Sequence, residues 1–294
     1  MARPVPIGAG SALLATLISI LWGGNLVSLK IGMEAVPAFW NAFWRMLLGT
    51  AVVAVWARRS GVAVRPARGE WLPLLWLGLM FTVQIGLLNS GTVLTSPGYG
   101  VVILNSYAIF ANLFGHFVMP EDRLTPRRVL GLALSVAGVC VLAVGRPERA
   151  LAPDPLLGNL ILVLSAMLLG VRQVYTRWLV QKVDPARTVV WQMLWSIPLF
   201  LAVAVATEPV RTAPVGWRHA AAILYQGVVV AGGCFVGWAA LLKKHSAGTL
   251  SMFAFIVPVA GIALSGLIFG EAIRANLAAG SALVLAGVLL VTRE

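Results

Sequence analysis

The sequence predicts an all-α polytopic membrane protein: ten transmembrane helices arranged as two inverted five-helix repeats. Three observations predict it. Hydrophobic residues fill 60% of the 294 positions and charged residues only 11%, more apolar surface than a soluble domain of this length can hide. Apolar runs of about 20 residues, enough to cross a hydrocarbon core, recur along the whole chain. A short pattern, Trp44-Arg45-Met46-Leu47, returns about half a chain later as Trp191-Gln192-Met193-Leu194.

The expected spans are 9–30, 37–57, 71–92, 98–119, 127–145, 156–178, 188–207, 219–242, 247–269 and 274–292. The first follows Arg3 as a secretory leader would, but it has a counterpart in the second half and counts as structure. In it, Trp22, Gly23, Gly24 and Asn25 form a small-residue break beside a large aromatic. The second carries Trp44 and Arg45, and the third Gln84 and Asn89. In the fourth, Asn105, Asn112 and His116 stand at i, i+7 and i+11, one face of a continuous helix. Tyr107 lies off that line; Tyr99, near a span end, is expected to be accessible. The sixth holds Arg172, Gln173 and Tyr175, the seventh Trp191 and Gln192, and the eighth Trp238. Cys140 and Cys234 both fall inside spans and suggest neither a disulfide framework nor a metal site.

Polar side chains within spans are costly in hydrocarbon and usually face the bundle interior. For each of these two readings fit, cavity lining or interhelical hydrogen bonding. Trp44, Trp191 and Trp238 sit deep enough for a cavity or for packing, whereas Trp56, Trp71 and Trp217 fall at ends, as interfacial anchors do. Arg172 is close enough to the chain's Arg177 end to snorkel; a buried role suits Arg45 better. No Asp or Glu lies near the middle of any span.

The net charge of +12 is topogenic rather than a nucleic-acid signature. With the N-terminus inside, the inner segments carry 14 Lys and Arg and the outer segments 6. Positive connections stay cytoplasmic, so both termini are expected inside a cell inner membrane.

An offset of 147 pairs Trp44–Leu47 with Trp191–Leu194. An offset of 150 pairs Ser96 with Ser246, Gly98 with Gly248 and Glu121 with Glu271, and 149 pairs Gly131 and Gly138 with Gly280 and Gly287. The repeat holds five spans, an odd number, so the two copies must be inverted in the membrane. Secondary transporters use that symmetry, with the substrate near mid-membrane between the copies.

The stretches Pro120–Leu142 and Gly270–Val291 resemble the endings of EamA-type repeats, in the drug/metabolite transporter superfamily. The likeness covers 8–146 and 155–293 as two repeats. Pro258 matches the proline usual in the fourth helix of such a repeat, and Arg45 the arginine often found in the second. Ala108 in place of a second such proline, Pro120 before Glu121, and Gln192 opposite Arg45 depart from the pattern. Within the superfamily the chain looks most like the YddG-type exporters of aromatic and related amino acids. The resemblance implies export, with Glu121, Glu271 and Pro258 in structural or gating roles.

Taken together, these features predict a transporter for a neutral zwitterion, with amides and Arg45 for a carboxylate and deep aromatics for an apolar side chain. The candidate cavity residues are Trp22, Asn25, Trp44, Arg45, Gln84, Asn89, Tyr99, Asn105, Asn112, His116, Gln173, Tyr175, Trp191, Gln192 and Trp238. A drug or nucleotide-sugar-like carrier is the alternative within transport. An intramembrane enzyme lacks its motifs: there is no HExxH pair and no pair of mid-span aspartates. No cofactor and no nucleic acid are expected; the partners are a small-molecule substrate and the lipid bilayer, and the chain is expected to be a monomer. With His116 the one imidazole inside a span, no obligatory proton coupling is expected.

Overall fold

In this computed structural model the described residues are 7–118, 125–143, 145, 147, 150–244, 253 and 256–292. They are helical with short connections: α1 (Ala9–Gly32), α2 (Ala38–Arg59), α3 (Trp71–Leu94), α4 (Pro97–Asn105), α5 (Tyr107–Val118), α6 (Pro126–Ala143), α7 (Pro155–Leu179), α8 (Pro185–Thr207), α9 (Trp217–Leu224), a π-helical segment (Tyr225–Cys234), α10 (Phe235–Lys244), α11 (Ile256–Phe269) and α12 (Ala275–Thr292). Among the described residues, seven helices are long and apolar enough to cross a membrane, α4 with α5 and α9 to α10 each counting as one. Shorter apolar helices occupy the fifth, ninth and tenth expected positions. The chain is a multi-pass membrane protein.

Helix starts follow local chemistry. Pro155 and Pro185 open α7 and α8, where a missing N–H costs nothing, and Asp154 and Asp184 accept from the first-turn N–H groups of Leu157 and Ala186. Two expectations about continuity fail. Gly23 and Gly24 do not break the first span, because α1 runs unbroken through them. The fourth span is interrupted at Ser106, so Asn105 and the Asn112–His116 pair do not share one uninterrupted helical line. The eighth widens into ten residues of π-helix, a local geometry that often accompanies function.

The packing has an internal two-fold pattern. Helix α1 lies along the α9–π–α10 rod as α7 lies along α3; α1 meets α11 as α7 meets α4 and α5; α2 meets the π segment as α8 meets α3. The equivalent helices α2 and α8, and likewise α6 and α12, pack against each other. Both pairs run antiparallel. Phe39 near the start of α2 receives Phe200 and the Glu208 carboxylate from the end of α8, while Gly49 meets Met193 farther along. On α6, Gly138 meets Gly280 and Val284 of α12, and Ser135 Oγ donates to Val284 O. The copies are therefore inverted.

Close contacts obey the same symmetry. A Cβ on Gly23 would sit 2.7 Å from Ala260 and 2.9 Å from Gly261 N; one on Gly170 would sit 2.6 Å from Phe110 and 2.7 Å from Ala111 N. Small residues let these backbones approach, as helix association in lipid requires. Gly23 and Gly24 thus form a packing surface rather than a break.

Candidate substrate site

The repeated four-residue pattern leads to the centre of the bundle. Met46 and Met193 are fully buried in the same apolar core. Arg45, on α2, is 2% exposed, and Arg172, on α7, is 8% exposed. Neither snorkels. Arg172 Nη1 donates to Gln192 Oε1 on α8 (3.1 Å), and its guanidinium lies over the Phe81 ring of α3, 5.0 Å from the centroid. Arg45 and Tyr107 both lie within electrostatic reach of Arg172. Nε and Nη1 of Arg45 and Nε of Arg172 are buried without a hydrogen-bond partner among the described residues. One turn before Arg45, the fully buried Asn41 also has both amide atoms unpaired.

This explains why the pattern returns with glutamine. The offset of 147 that pairs Arg45 with Gln192 also pairs Asn25 with Arg172. Each repeat thus supplies one guanidinium and one amide at these two positions, with the helices exchanged. An arginine at 192 would crowd a third cation against Arg172, whereas a glutamine oxygen accepts from it.

Other expected site residues have different work. Gln84 Nε2 donates to Ser165 Oγ, which itself donates to Gln84 O, binding α3 to α7. Asn89 Nδ2 donates to Ala38 O at the start of α2 (2.8 Å). Asn112 bonds back to Ala108 O within its own helix. Tyr175 OH donates to Pro73 O, and Trp191 Nε1 to Val64 O with its ring against Trp71. These are ties between helices and connections, formed because an amide or hydroxyl in hydrocarbon must find a partner. Tyr99 is only 1% exposed, so the expectation of an accessible ring is overturned by its place inside the α4 packing. Trp44 stands with Leu47, Ala51 and Val55 on the exposed apolar stripe of α2, which faces away from the core and suits lipid.

Trp22 and Trp238 do meet, 4.9 Å apart, beside Phe235, and Trp22 Nε1 is buried and unpaired. Asn25 is buried with Oδ1 unpaired, three residues along α1. Asn105 is buried at the end of α4; His116 and Gln173 are half-buried, His116 against Phe117. Phe81, Asn41 and the inward turn of Arg172 were not apparent from the sequence, since an apolar residue gives no polar signal and Asn41 falls near a span end.

At one end of the bundle Glu271 is buried and accepts from Ser96 Oγ, Ser265 Oγ and Gly98 N (3.0 Å). It caps α4, where exposed N–H groups favour an anion; a Cβ on Gly98 would fall 2.7 Å from its Oε2. At the same end Lys30 Nζ donates to the carbonyls of Thr92, Val93 and Thr95 at the C-terminal end of α3, and Glu208 accepts from Phe39 N and Trp40 N at the start of α2. Glu121, its counterpart in the first repeat, lies outside the described residues. Pro258 is buried near the start of α11, where its missing N–H is cheapest. At the other end Arg187 pairs with Glu70 (2.7 Å). Burial pushes the Glu70 carboxyl up, but the Ala67 N–H and the Arg187 guanidinium outweigh it and hold the group below the usual glutamate value.

A family model described as the EamA-like transporter family matches residues 9–144 and 156–293. The chain belongs to the EamA-like transporter family. It is 25% identical over 291 residues to a probable amino-acid metabolite efflux pump of Salmonella typhimurium, covering 94% of this chain and 93% of that one. It is 23% identical to a probable terminal-alkyne amino-acid exporter of Streptantibioticus cattleyicolor, over 96% and 93% of the two chains. The uncharacterised transporter YoaV of Bacillus subtilis is 21% identical over 94% of each chain. A solved crystal structure superposes with a TM-score of 0.70 at 24% identity, covering 96% of this chain and 98% of the other, which shows the fold. An EamA-type chain of this build is a membrane transporter and not an enzyme.

Proposed function

We propose that this transporter exports small metabolites of the amino-acid type, with a carboxylate at one end and an apolar or aromatic group at the other. It works as a monomer in the inner membrane, with both termini cytoplasmic, as two repeats (8–146 and 155–293) that rock about the central site. The observation that carries this reading is the pair of buried guanidiniums, Arg45 with donors unpaired and Arg172 held by Gln192 and lying over Phe81. Guanidiniums in hydrocarbon require anions or carbonyls, and their planar fork matches a carboxylate. The Trp22–Trp238 pair offers apolar surface on neighbouring helices. Two distant relatives carry names that point to amino-acid export, which favours the same substrate class. The inverted packing supplies two related conformations, one open to each side.

The test is counterflow in proteoliposomes with a panel of amino acids. Apolar and aromatic members should exchange, and lipophilic cations should not. Exchange of lipophilic cations alone would replace this reading with a drug exporter.

A further inference from the structure

From the junction of α1, α2 and the π-helical segment we infer that Asn41 and Gln226 form a subsite for the substrate's ammonium group, so that recognition requires a free amine. This rests on the amino-acid reading above, with Arg45 as a partner of the carboxylate, and assigns the other charged end.

Asn41 and Gln226 are both fully buried, and their amides meet at one point of α1. A Cβ on Gly32 would fall 2.4 Å from Asn41 Nδ2 and 3.0 Å from Gln226 Nε2. Gln226 Nε2 is engaged by Ser28 O (2.8 Å), while Gln226 Oε1 and both amide atoms of Asn41 have no partner among the described residues. Two unmatched acceptors thus stand beside one unmatched donor. A ligand rich in N–H groups fits that surplus, and leaving it unmet in hydrocarbon is costly.

Helix packing does not require these amides. The internal two-fold maps Gly32 onto Leu179 and Asn41 onto Thr188 at an offset of 147, and Leu74 and Leu77 onto Ile223 and Gln226 at 149. The contacts follow the map, for Gly32 faces Ile223 and Gln226, and Leu179 clusters with Leu74 and Leu77. In that second junction leucines do the packing, and Thr188 Oγ1 donates to Asp184 O of its own helix. The same architecture therefore closes without a polar pair, and only the first junction carries one.

Arg45 follows Asn41 by four residues, the neighbouring position on one helix face, with Cβ atoms about 5–6 Å apart. The turn that carries it packs beside Gln226: a Cβ on Gly227 would sit 3.2 Å from Arg45 O. Arg45 Nε and Nη1 are unpaired donors. An α-amino acid holds its ammonium one carbon from its carboxylate, so a carboxylate on Arg45 brings the ammonium to the adjoining turn of α2. Neutral amide oxygens suit that place, because an aspartate at position 41 would pair with Arg45 and withdraw both.

Two radiolabelled probes test this on the purified protein in detergent: L-phenylalanine, and hydrocinnamate, the same molecule without its ammonium. The wild-type protein should bind phenylalanine at least about tenfold more tightly, the scale of a charge-assisted contact made by one ligand and not the other. Asn41→Leu and Gln226→Met keep the side-chain size and remove the amide oxygens, and each should bring the two affinities to within about threefold. A merely structural role would weaken both probes alike and leave their ratio unchanged, which would overturn the assignment. If Asn41→Leu fails to fold, Gln226→Met and the wild-type ratio decide. Hydrocinnamate binding as tightly as phenylalanine to the wild-type protein would overturn the ammonium subsite and leave the carboxylate site at Arg45 standing. Binding of neither probe would remove the amino-acid reading together with the subsite. A sodium requirement that disappears in Asn41→Leu while the ratio persists would give the amides to a metal ion instead and overturn the inference.

Discussion

At the scale of residues, the polar groups sort by whether their donors find a protein partner. Gln84, Asn89, Tyr175 and Trp191 reach carbonyls or hydroxyls on neighbouring segments and hold helices together. Arg45, Asn41 and part of Arg172 keep buried donors unpaired, an arrangement tolerated in lipid where a ligand completes it. The tryptophans divide in the same way. Trp44→Ala, on the outer stripe of α2, should change counterflow less than twofold, since substitutions away from packed or polar features usually stay within about 0.5 kcal/mol. Trp22→Ala removes a ring packed on Trp238 and Phe235 and should destabilise by about 3–5 kcal/mol, seen as a lowered Tm in detergent. Equal effects of the two changes on both readouts would contradict this division.

At the scale of elements, helix ends carry the chemistry that joins the repeats. Glu271 of the second repeat caps α4 of the first, and Glu208 of the second caps α2 of the first. If the repeats rock as proposed, opening that end breaks the Glu271 contacts together. Glu271→Gln keeps the shape but gives up the charge on hydrogen bonds that contribute about 1.5–3 kcal/mol each. Amide exchange over Gly98–Val101 should then speed up by about tenfold or more, measured by hydrogen–deuterium exchange mass spectrometry. Unchanged exchange would mean that apolar packing alone holds this end closed. The π-helical Tyr225–Cys234 segment belongs to this scale as well. Tyr225 OH donates to Leu21 O and Gln226 Nε2 to Ser28 O, so its wide turns aim two polar side chains at α1.

At the scale of the whole molecule, the inverted packing fixes which ends of the helices lie together. Ser60, after α2, and Pro214, before α9, are both exposed and sit at opposite ends of the bundle. Single cysteines at these positions should react from opposite sides of the membrane with an impermeant maleimide. Position 214 should label from outside intact cells and position 60 only after permeabilisation. The reverse result would invert the proposed orientation, and labelling of both from one side would refute the span count.

The sequence by itself determined the membrane class, because length and hydropathy of a span are local properties that hydrocarbon thickness selects directly. It also determined the two-fold repeat, since both copies keep the Trp-x-Met-Leu pattern and the Gly131/Gly280 and Gly138/Gly287 pairs at nearly constant offset. Only the tertiary structure decided which polar residues tie helices together and which keep buried donors unpaired at the candidate site. A glutamine in a span looks the same whether it meets Ser165, as Gln84 does, or Arg172, as Gln192 does. Arg172 shows the limit most clearly. Its distance from the helix end allows it to reach the interface, and only the neighbouring α3 and α8 turn it inward. Partners distant in sequence are set by how helices cross, and no local pattern encodes that crossing.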